Sequence, residues 1–370
     1  MEVVSPNHES RSTNHDAKAF WDPPPGRVAV FRALQLGDML CSVPALRALR
    51  THAPRARITL IGLPWAAAFA ERFAHYIDEF IPFPGVPGFP EQTPDLGALP
   101  RFIAETRERR FDLAIQLHGS GELSNLVVLA FGARNYGGFV RAGAVPPAPG
   151  FLGWPEDEPE IWRYLRLMQF LGVSPRGVAL EFPLADRDWE EYAALARVHD
   201  LQPGQYVCVH PGARLLTRRW PTERFAAVAD ELANVVPRIV ITGSADERAL
   251  AARVQGAMRR PAVNLSGHTR LGSLAALIAG SRLLLCNDTG VSHVAAALGT
   301  PSVVISSGTD VRRWAPLDAQ RHRFIYHMVP CRPCAHSECP IGHPCALGVP
   351  VERVAHASRD VLQEEPVHAA

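Results

Sequence analysis

Apolar stretches of strand length alternate with helix-like patterns along most of this chain, and the alternation starts again after about residue 185. The strand-length stretches are 27–33, 57–62, 111–119, 206–212, 238–244, 283–288 and 302–308. Because they are continuously apolar rather than alternating, these strands are predicted to be buried on both faces. Buried strands that are joined by helices are typical of parallel sheets built from βαβ units.

The repeat of this pattern predicts an α/β chain with two Rossmann-like domains, at 26–185 and 186–370. The second contains a cysteine-rich loop at 331–345. Residues 1–25 are polar and end in three prolines, without the apolar core of a secretory signal, so we expect a disordered leader.

Composition narrows the class of protein. Of the 370 residues, 47% are hydrophobic and 20% are charged, which is ordinary for a soluble globular protein. The formal net charge of +1 gives no sign of a nucleic-acid partner. No apolar run reaches the ~20 residues of a spanning helix. We therefore expect a cytoplasmic protein, in which seven cysteines are not structural disulfides.

Ligands of open α/β sheets bind at the carboxyl ends of strands, so the strand-to-helix turns hold the candidate sites. In LLLCNDTGVSHVAAALG, residues 283–299, a glycine at Gly290 lets a ligand approach the backbone. The helix start that follows favours an anion such as a diphosphate. Thr289 and Ser292 are hydroxyl donors for that anion, and Asp288 is expected to face a sugar hydroxyl.

Two further turns carry charged side chains. The segment HPGARLLTRRWP, residues 210–221, is basic, and arginine binds phosphate through two parallel hydrogen bonds. Its Arg214, Arg218 and Arg219 are candidates for the second half of a diphosphate clamp. In FRALQLGDML, residues 31–40, Asp38 follows a glycine where the first strand meets its helix, and a carboxylate there is a candidate general base.

Each of these turns also has a purely structural interpretation. Asp38 and Asp288 are candidate helix N-caps, a common role for aspartate. His293 is then a surface histidine. The arginines of 210–221 then form a solvated loop before a helix that starts near Thr222.

The segment CRPCAHSECPIGHPC, residues 331–345, has the spacing C-x2-C-x4-C-x5-C. Four cysteines so close together predict a structural zinc or iron site, with no role in catalysis. Its predicted ligands are Cys331, Cys334, Cys339 and Cys345. The alternative is a reduced loop that packs without a metal. Cys41, Cys208 and Cys286 lie in apolar surroundings and are interpreted as core residues.

Taken together, these turns resemble glycosyltransferase family 9, the ADP-heptose:lipopolysaccharide heptosyltransferases. The resemblance is carried by RALQLGDMLCSVPALRALR (32–50), HPGARLLTRRWPTERFAAVADEL (210–232), ITGSADERALA (241–251) and NDTGVSHVAAALGTPSVVISSGTD (287–310), in the order of the family. The cysteine-rich segment is also similar to one found in part of the family.

The resemblance implies a GT-B architecture, in which two Rossmann-like domains face each other across a cleft. It places the nucleotide-sugar on the C-terminal domain and the acceptor on the N-terminal one. It implies Asp38 as the catalytic base, Glu247 for the ribose hydroxyls and Arg218 where the family often has lysine. The remaining donor-binding residues that it implies are Asp288, Thr289, Gly290, Val291, Ser292 and His293.

The function implied by the resemblance is inverting, metal-independent transfer of a heptose from ADP-heptose to a lipopolysaccharide inner-core acceptor, lipid A–Kdo. It needs no cofactor for catalysis, and it leaves open a peripheral contact with the cytoplasmic face of the inner membrane. Two alternatives are a GT-B-fold nucleotide-sugar epimerase and a non-catalytic nucleotide-sugar-binding protein. The donor sugar and the acceptor are not encoded in these motifs.

Overall fold

The computed structural model describes residues 24–363, so most of the predicted leader lies outside the described residues. The first half of the chain forms a six-stranded sheet in the order β3-β2-β1-β4-β5-β6. Every neighbouring pair in this sheet is parallel. Its strands are β1 Arg27–Phe31, β2 Arg57–Gly62, β3 Glu79–Pro82, β4 Leu113–Gln116, β5 Asn135–Val140 and β6 Gly150–Gly153.

The second half repeats this topology. Its parallel sheet has the order β12-β11-β10-β7-β8-β9. Its strands are β7 Tyr206–His210, β8 Arg238–Ile241, β9 Val263–Asn264, β10 Leu283–Asn287, β11 Ser302–Ser306 and β12 His322–Tyr326. Counted within each half, both sheets follow the order 3-2-1-4-5-6 of the Rossmann fold. The predicted α/β class with two Rossmann-like sheets is confirmed.

Helices connect the strands of each sheet. In the first half they are α1 Leu36–Cys41, α2 Val43–His52, α3 Ala67–Arg72, α4 Leu99–Glu108, α5 Glu122–Leu129 and α6 Glu160–Phe170. Those that follow are α7 Asp186–His199, α8 Thr222–Leu232, α9 Arg248–Ala257, α10 Leu271–Gly280, α11 Gly290–Leu298, α12 Val311–Trp314, α13 Pro344–Leu347 and α14 Val351–Gln363. None of them is long and apolar enough to cross a bilayer.

The two halves share one continuous apolar core. Leu46 and Leu165 of the first half belong to the same buried cluster as Leu277 and Val294 of the second. Cys41, Cys208 and Cys286 are buried, as expected of core residues. The boundary at residue 185 stays a prediction, because the packing runs across it.

Five strands were not predicted, and the glycines of β5 explain part of this difference. A Cβ at Gly137 would lie 2.8 Å from Leu171 Cδ1, and one at Gly138 would lie 2.9 Å from Gln116 Cβ. Close packing therefore requires glycine at these positions of β5. A strand that is predictable from its sequence would carry branched apolar residues there.

Candidate active site at the carboxyl ends of the strands

A cavity of about 450 Å³ lies between the two sheets. It is formed by the segments that follow β1, β7, β10 and β11, all at carboxyl ends, where α/β sheets bind ligands. The residues that line it are Gln35, Leu36, Gly37, Asp38, Ala213, Arg214, Leu215, Arg218, Asp288, Thr289, Gly290, Val291, His293, Thr309 and Trp314. Most of the predicted site residues therefore meet in one place.

The starts of α1 and α11 pack directly against each other, and both line this cavity. A Cβ built on Gly37 would lie 2.8 Å from His293 Cδ2, and one on Gly290 would lie 3.3 Å from the Gly37 nitrogen. Two glycines thus allow the two helix starts to approach at backbone distance. This contact brings Asp38 of one half next to the turn at Asp288 of the other.

Asp38 is the third residue of α1, whose N-cap is Gln35. The alternative in which Asp38 is the N-cap is therefore wrong. Its half-buried side chain lines the cavity, and its main-chain oxygen accepts a hydrogen bond of 2.9 Å from Arg32 Nε. Burial raises the pKa of the Asp38 carboxyl, against the opposing charge of Arg32.

The turn before α11 presents its backbone to the cavity. Thr289 is the N-cap and is extended, without a side-chain capping bond, so the first N–H groups of the helix are not capped by that side chain. Gly290 and Val291 line the cavity. Ser292 is different: its hydroxyl donates to the Thr289 carbonyl at 2.7 Å and does not line the cavity. The Ser292 hydroxyl hydrogen is thus already donated within the helix start and is not available to the anion.

Asp288 and His293 are both part of the packed site. Asp288 precedes the N-cap and accepts a hydrogen bond of 2.5 Å from Thr309 Oγ1. Burial raises the pKa of Asp288. His293 is 7% exposed, with Nδ1 3.7 Å from Cys41 Sγ, and burial lowers its pKa. The interpretations of Asp288 as an N-cap and of His293 as a surface residue are therefore wrong.

The basic loop after β7 is ordered by hydrogen bonds. Arg218 donates to the carbonyls of Ser307, at 3.1 Å, and Cys334, at 2.5 Å, and it lines the cavity. Buried Asn287 holds the two ends of this loop through hydrogen bonds. Its Nδ2 donates to the Pro211 carbonyl at 2.8 Å, and its Oδ1 accepts from the Trp220 N–H at 3.0 Å. Arg218 is thus held at the cavity wall rather than in solvent.

Glu247 lies behind the cavity wall. Its Oε2 accepts a hydrogen bond of 2.8 Å from the Ser244 N–H. A Cβ at Gly212 would lie only 2.0 Å from Glu247 Oε1, so the Glu247 carboxylate occupies the space that a side chain at residue 212 would need. Glu247 does not line the cavity itself. It lies against Gly212, which directly precedes the lining residue Ala213.

Sequence reasoning missed the contribution of β11. Thr309 and Trp314 line the cavity, and Thr309 holds Asp288. Thr309 follows a glycine at the end of an apolar run, which is the signal used for the other turns and could have identified it. Trp314 carries no such signal, because it reaches the cavity only through tertiary packing.

The cysteine-rich loop does not fit the predicted metal. Within residues 24–363, no group of three or more His, Cys, Asp or Glu is placed to hold an ion. Cys339 Sγ instead accepts a hydrogen bond of 3.1 Å from the His343 N–H. The predicted zinc or iron site at Cys331, Cys334, Cys339 and Cys345 is therefore not supported.

The chain belongs to glycosyltransferase family 9, the heptosyltransferase family, whose model matches residues 100–344. It is accordingly a glycosyltransferase. Among its relatives is lipopolysaccharide heptosyltransferase 2 of Salmonella typhimurium, which is 26% identical over 92% of this chain and 100% of that protein.

Solved structures agree with this assignment at the level of the fold. E. coli ADP-heptose lps heptosyltransferase II has a TM-score of 0.70 and 22% identity, over 91% of this chain and 98% of that one. E. coli heptosyltransferase WaaC with ADP has a TM-score of 0.65 and 18% identity, over 90% and 99% of the two chains. Together with the two parallel sheets, they confirm the GT-B architecture.

Proposed function

We propose that this enzyme transfers a heptose from ADP-heptose to a lipopolysaccharide core acceptor. The observation that carries the proposal is a cavity with an anion-binding helix start and arginines on one wall and a carboxylate on the other. Relatives named as lipopolysaccharide heptosyltransferases support both substrates. A solved heptosyltransferase of this fold contains ADP.

In this proposal the donor diphosphate lies at the start of α11. The N–H groups near Gly290 and Val291 and the guanidinium of Arg218 stabilise its charge. His293 is neutral, because burial lowers its pKa, so it bonds to the donor without adding charge. Asp288 accepts a sugar hydroxyl, and Glu247 reaches the ribose hydroxyls from behind Gly212.

Asp38 is the proposed general base. The acceptor hydroxyl attacks the anomeric carbon from the face opposite the departing ADP, and its proton passes to the Asp38 carboxylate. The new C–O bond replaces the bond to the diphosphate, which leaves with inversion. A raised pKa makes this carboxylate a better proton acceptor near neutral pH. Cationic side chains and helix N–H groups at the leaving group support transfer without a metal ion.

The acceptor proposed for this enzyme is a lipid A–Kdo core at the cytoplasmic face of the inner membrane. It enters from the first-half side of the cavity, where Gln35 and Leu36 lie beside Asp38.

The test is incubation of the purified enzyme with ADP-heptose and a panel of truncated core glycolipids, followed by mass spectrometry. We expect one glycolipid to gain one heptose, with stoichiometric release of ADP. Consumption of the donor without any acceptor would point to an epimerase or hydrolase instead. Binding of ADP-heptose with no turnover on any acceptor would indicate a binding protein.

A further inference from the structure

A buried ionic cluster joins the two halves of the chain beside the cavity. Glu160 begins α6 in the first half and is 1% exposed. Its carboxylate accepts two hydrogen bonds from Arg313 of α12, in the second half: 2.7 Å from Nε to Oε2 and 3.0 Å from Nη2 to Oε1. Tyr164 and Arg163 also donate to this carboxylate. The pair therefore bridges the two halves of the chain through a carboxylate that is almost completely buried.

The same carboxylate reaches the base through Arg32. Arg32 is completely buried, and its Nη2 lies 3.9 Å from Glu160 Oε1. Its Nε donates to the main-chain oxygen of Asp38, and its guanidinium stacks 4.4 Å from the centre of the Tyr164 ring. A buried guanidinium is tolerated only when its charge is balanced. Glu160 balances the cation that fixes the first turn of α1.

On the other side the cluster reaches the donor wall. The Arg313 guanidinium lies 4.4 Å from the centre of the Trp314 ring. The Trp314 and His293 rings meet edge to face, with their centres 6.1 Å apart. Trp314 and His293, both from the second half, line the same cavity as Asp38 of the first half. One carboxylate is thus connected to both walls of the active site.

We propose that Glu160 is a positioning residue for the transfer. Through Arg313 and Arg32 it sets the distance between the base on one sheet and the donor on the other. The inference rests on the proposed function, in which Asp38 removes a proton from an acceptor that attacks a donor held by the second sheet. Glu160 itself touches neither substrate in this scheme.

The chain supplies a matched control. Arg312, the neighbour of Arg313, pairs with Asp157, three residues before Glu160, so this second ion pair joins the same two segments. It is solvent-exposed, at 66% and 72% for the two side chains, and exposed pairs contribute little. Arg313→Ala and Arg312→Ala each remove one ion pair between the halves, but only Arg313→Ala removes the link between Glu160 and the second half.

Steady-state kinetics with ADP-heptose and the active acceptor test the proposal. We expect Arg313→Ala to lower kcat by about 10²-fold, the effect of a displacement of about 1 Å at the reacting atoms. The KM for the donor should change little, because the donor contacts remain. Arg313→Lys should recover part of kcat, and Arg312→Ala should match the parent. A purely structural role would lower the melting temperature and leave kcat per folded enzyme unchanged, and that result would overturn the proposal.

Hydrogen exchange measured by mass spectrometry provides a second readout that does not depend on turnover. Amides of α1 should exchange faster in Arg313→Ala and Glu160→Gln than in the parent and in Arg312→Ala. If Glu160→Gln does not fold, Arg313→Ala still decides, because Glu160 keeps its bonds from Arg163 and Tyr164. Unchanged exchange in α1 counts against the positioning role. A parent enzyme that transfers no heptose counts against the proposed function alone.

Discussion

At the scale of single residues, the proposed chemistry depends most on Asp38. It is the third residue of α1, it lines the cavity, and burial raises its pKa. A positioned general base contributes about 10²–10⁴-fold to a rate. We therefore expect Asp38→Asn to lower kcat by about that factor while the affinity for ADP, measured by calorimetry, stays close to that of the parent.

The control for this substitution is Glu223→Gln, which removes an acid from the first turn of α8, away from the cavity. Both changes remove a carboxylate that interacts favourably with a helix start, an effect of about 0.3–1 kcal/mol on stability. Only Asp38→Asn should change kcat. A kcat within a few-fold of the parent would restrict Asp38 to a role in the helix start, and the base would lie elsewhere in the cavity.

At the scale of elements, the sequence predicted the central strands well and the edges poorly. The buried strands β1, β2, β7, β10 and β11 have continuous apolar runs because helices cover both of their faces. The edge strands β3, β9 and β12 are only partly buried, so their composition resembles that of loops.

The active site likewise contains features that local sequence predicts and features that it does not. Turns that follow buried strands were recognisable from local sequence, and three of the four cavity segments were predicted. The contact between Glu160 and Arg313 joins residues 153 positions apart, and no local pattern encodes it. Tertiary packing determines which turns face each other across the cavity. It also determines which residue balances a buried charge.

The contact between α1 and α11 gives the prediction at this scale. Gly37→Ala places a Cβ 2.8 Å from His293 Cδ2 and 3.4 Å from Gly290 Cα, so the buried His293 ring or the start of α1 must shift. Overpacking of this kind costs about 1–3 kcal/mol. We expect a corresponding fall in the urea midpoint of unfolding, and a loss of transferase activity in the fraction that remains folded.

Gly256→Ala is the control for this substitution. Gly256 lies within α9, and a Cβ added there meets no atom within 4 Å. Alanine in an exposed helix is favoured over glycine by about 0.5–1 kcal/mol, so this variant should be slightly more stable and fully active. Equal stability of the two variants would show that α1 and α11 do not meet as closely as Gly37 and Gly290 indicate.

At the scale of the whole molecule, buried ionisable groups determine how stability depends on pH. Burial lowers the pKa of His322 to about 4, and this side chain bonds to Ser302 at 2.9 Å. Although burial alone would raise it, Arg313 and Arg32 hold the pKa of Glu160 at about 2. The unfolded chain binds protons at about pH 6.5 for histidine and about 4.3 for glutamate. It therefore binds more protons than the folded chain between each of these values and the lower pKa of the same group in the fold.

The stabilisation that these two groups provide is consequently complete above about pH 6.5 and is lost in two overlapping stages as the pH falls. Between about pH 6.5 and 4 the loss comes from His322, which stays neutral in the fold, and between about 4.3 and 2 Glu160 adds to it. One such histidine contributes a slope of about 1.4 kcal/mol per pH unit. His322→Gln should therefore flatten the fall of the unfolding free energy with pH by about that amount, as measured by urea titrations from pH 7.5 to 4.5. Parallel curves for the parent and His322→Gln would mean that His322 titrates in the folded protein as it does in the unfolded chain.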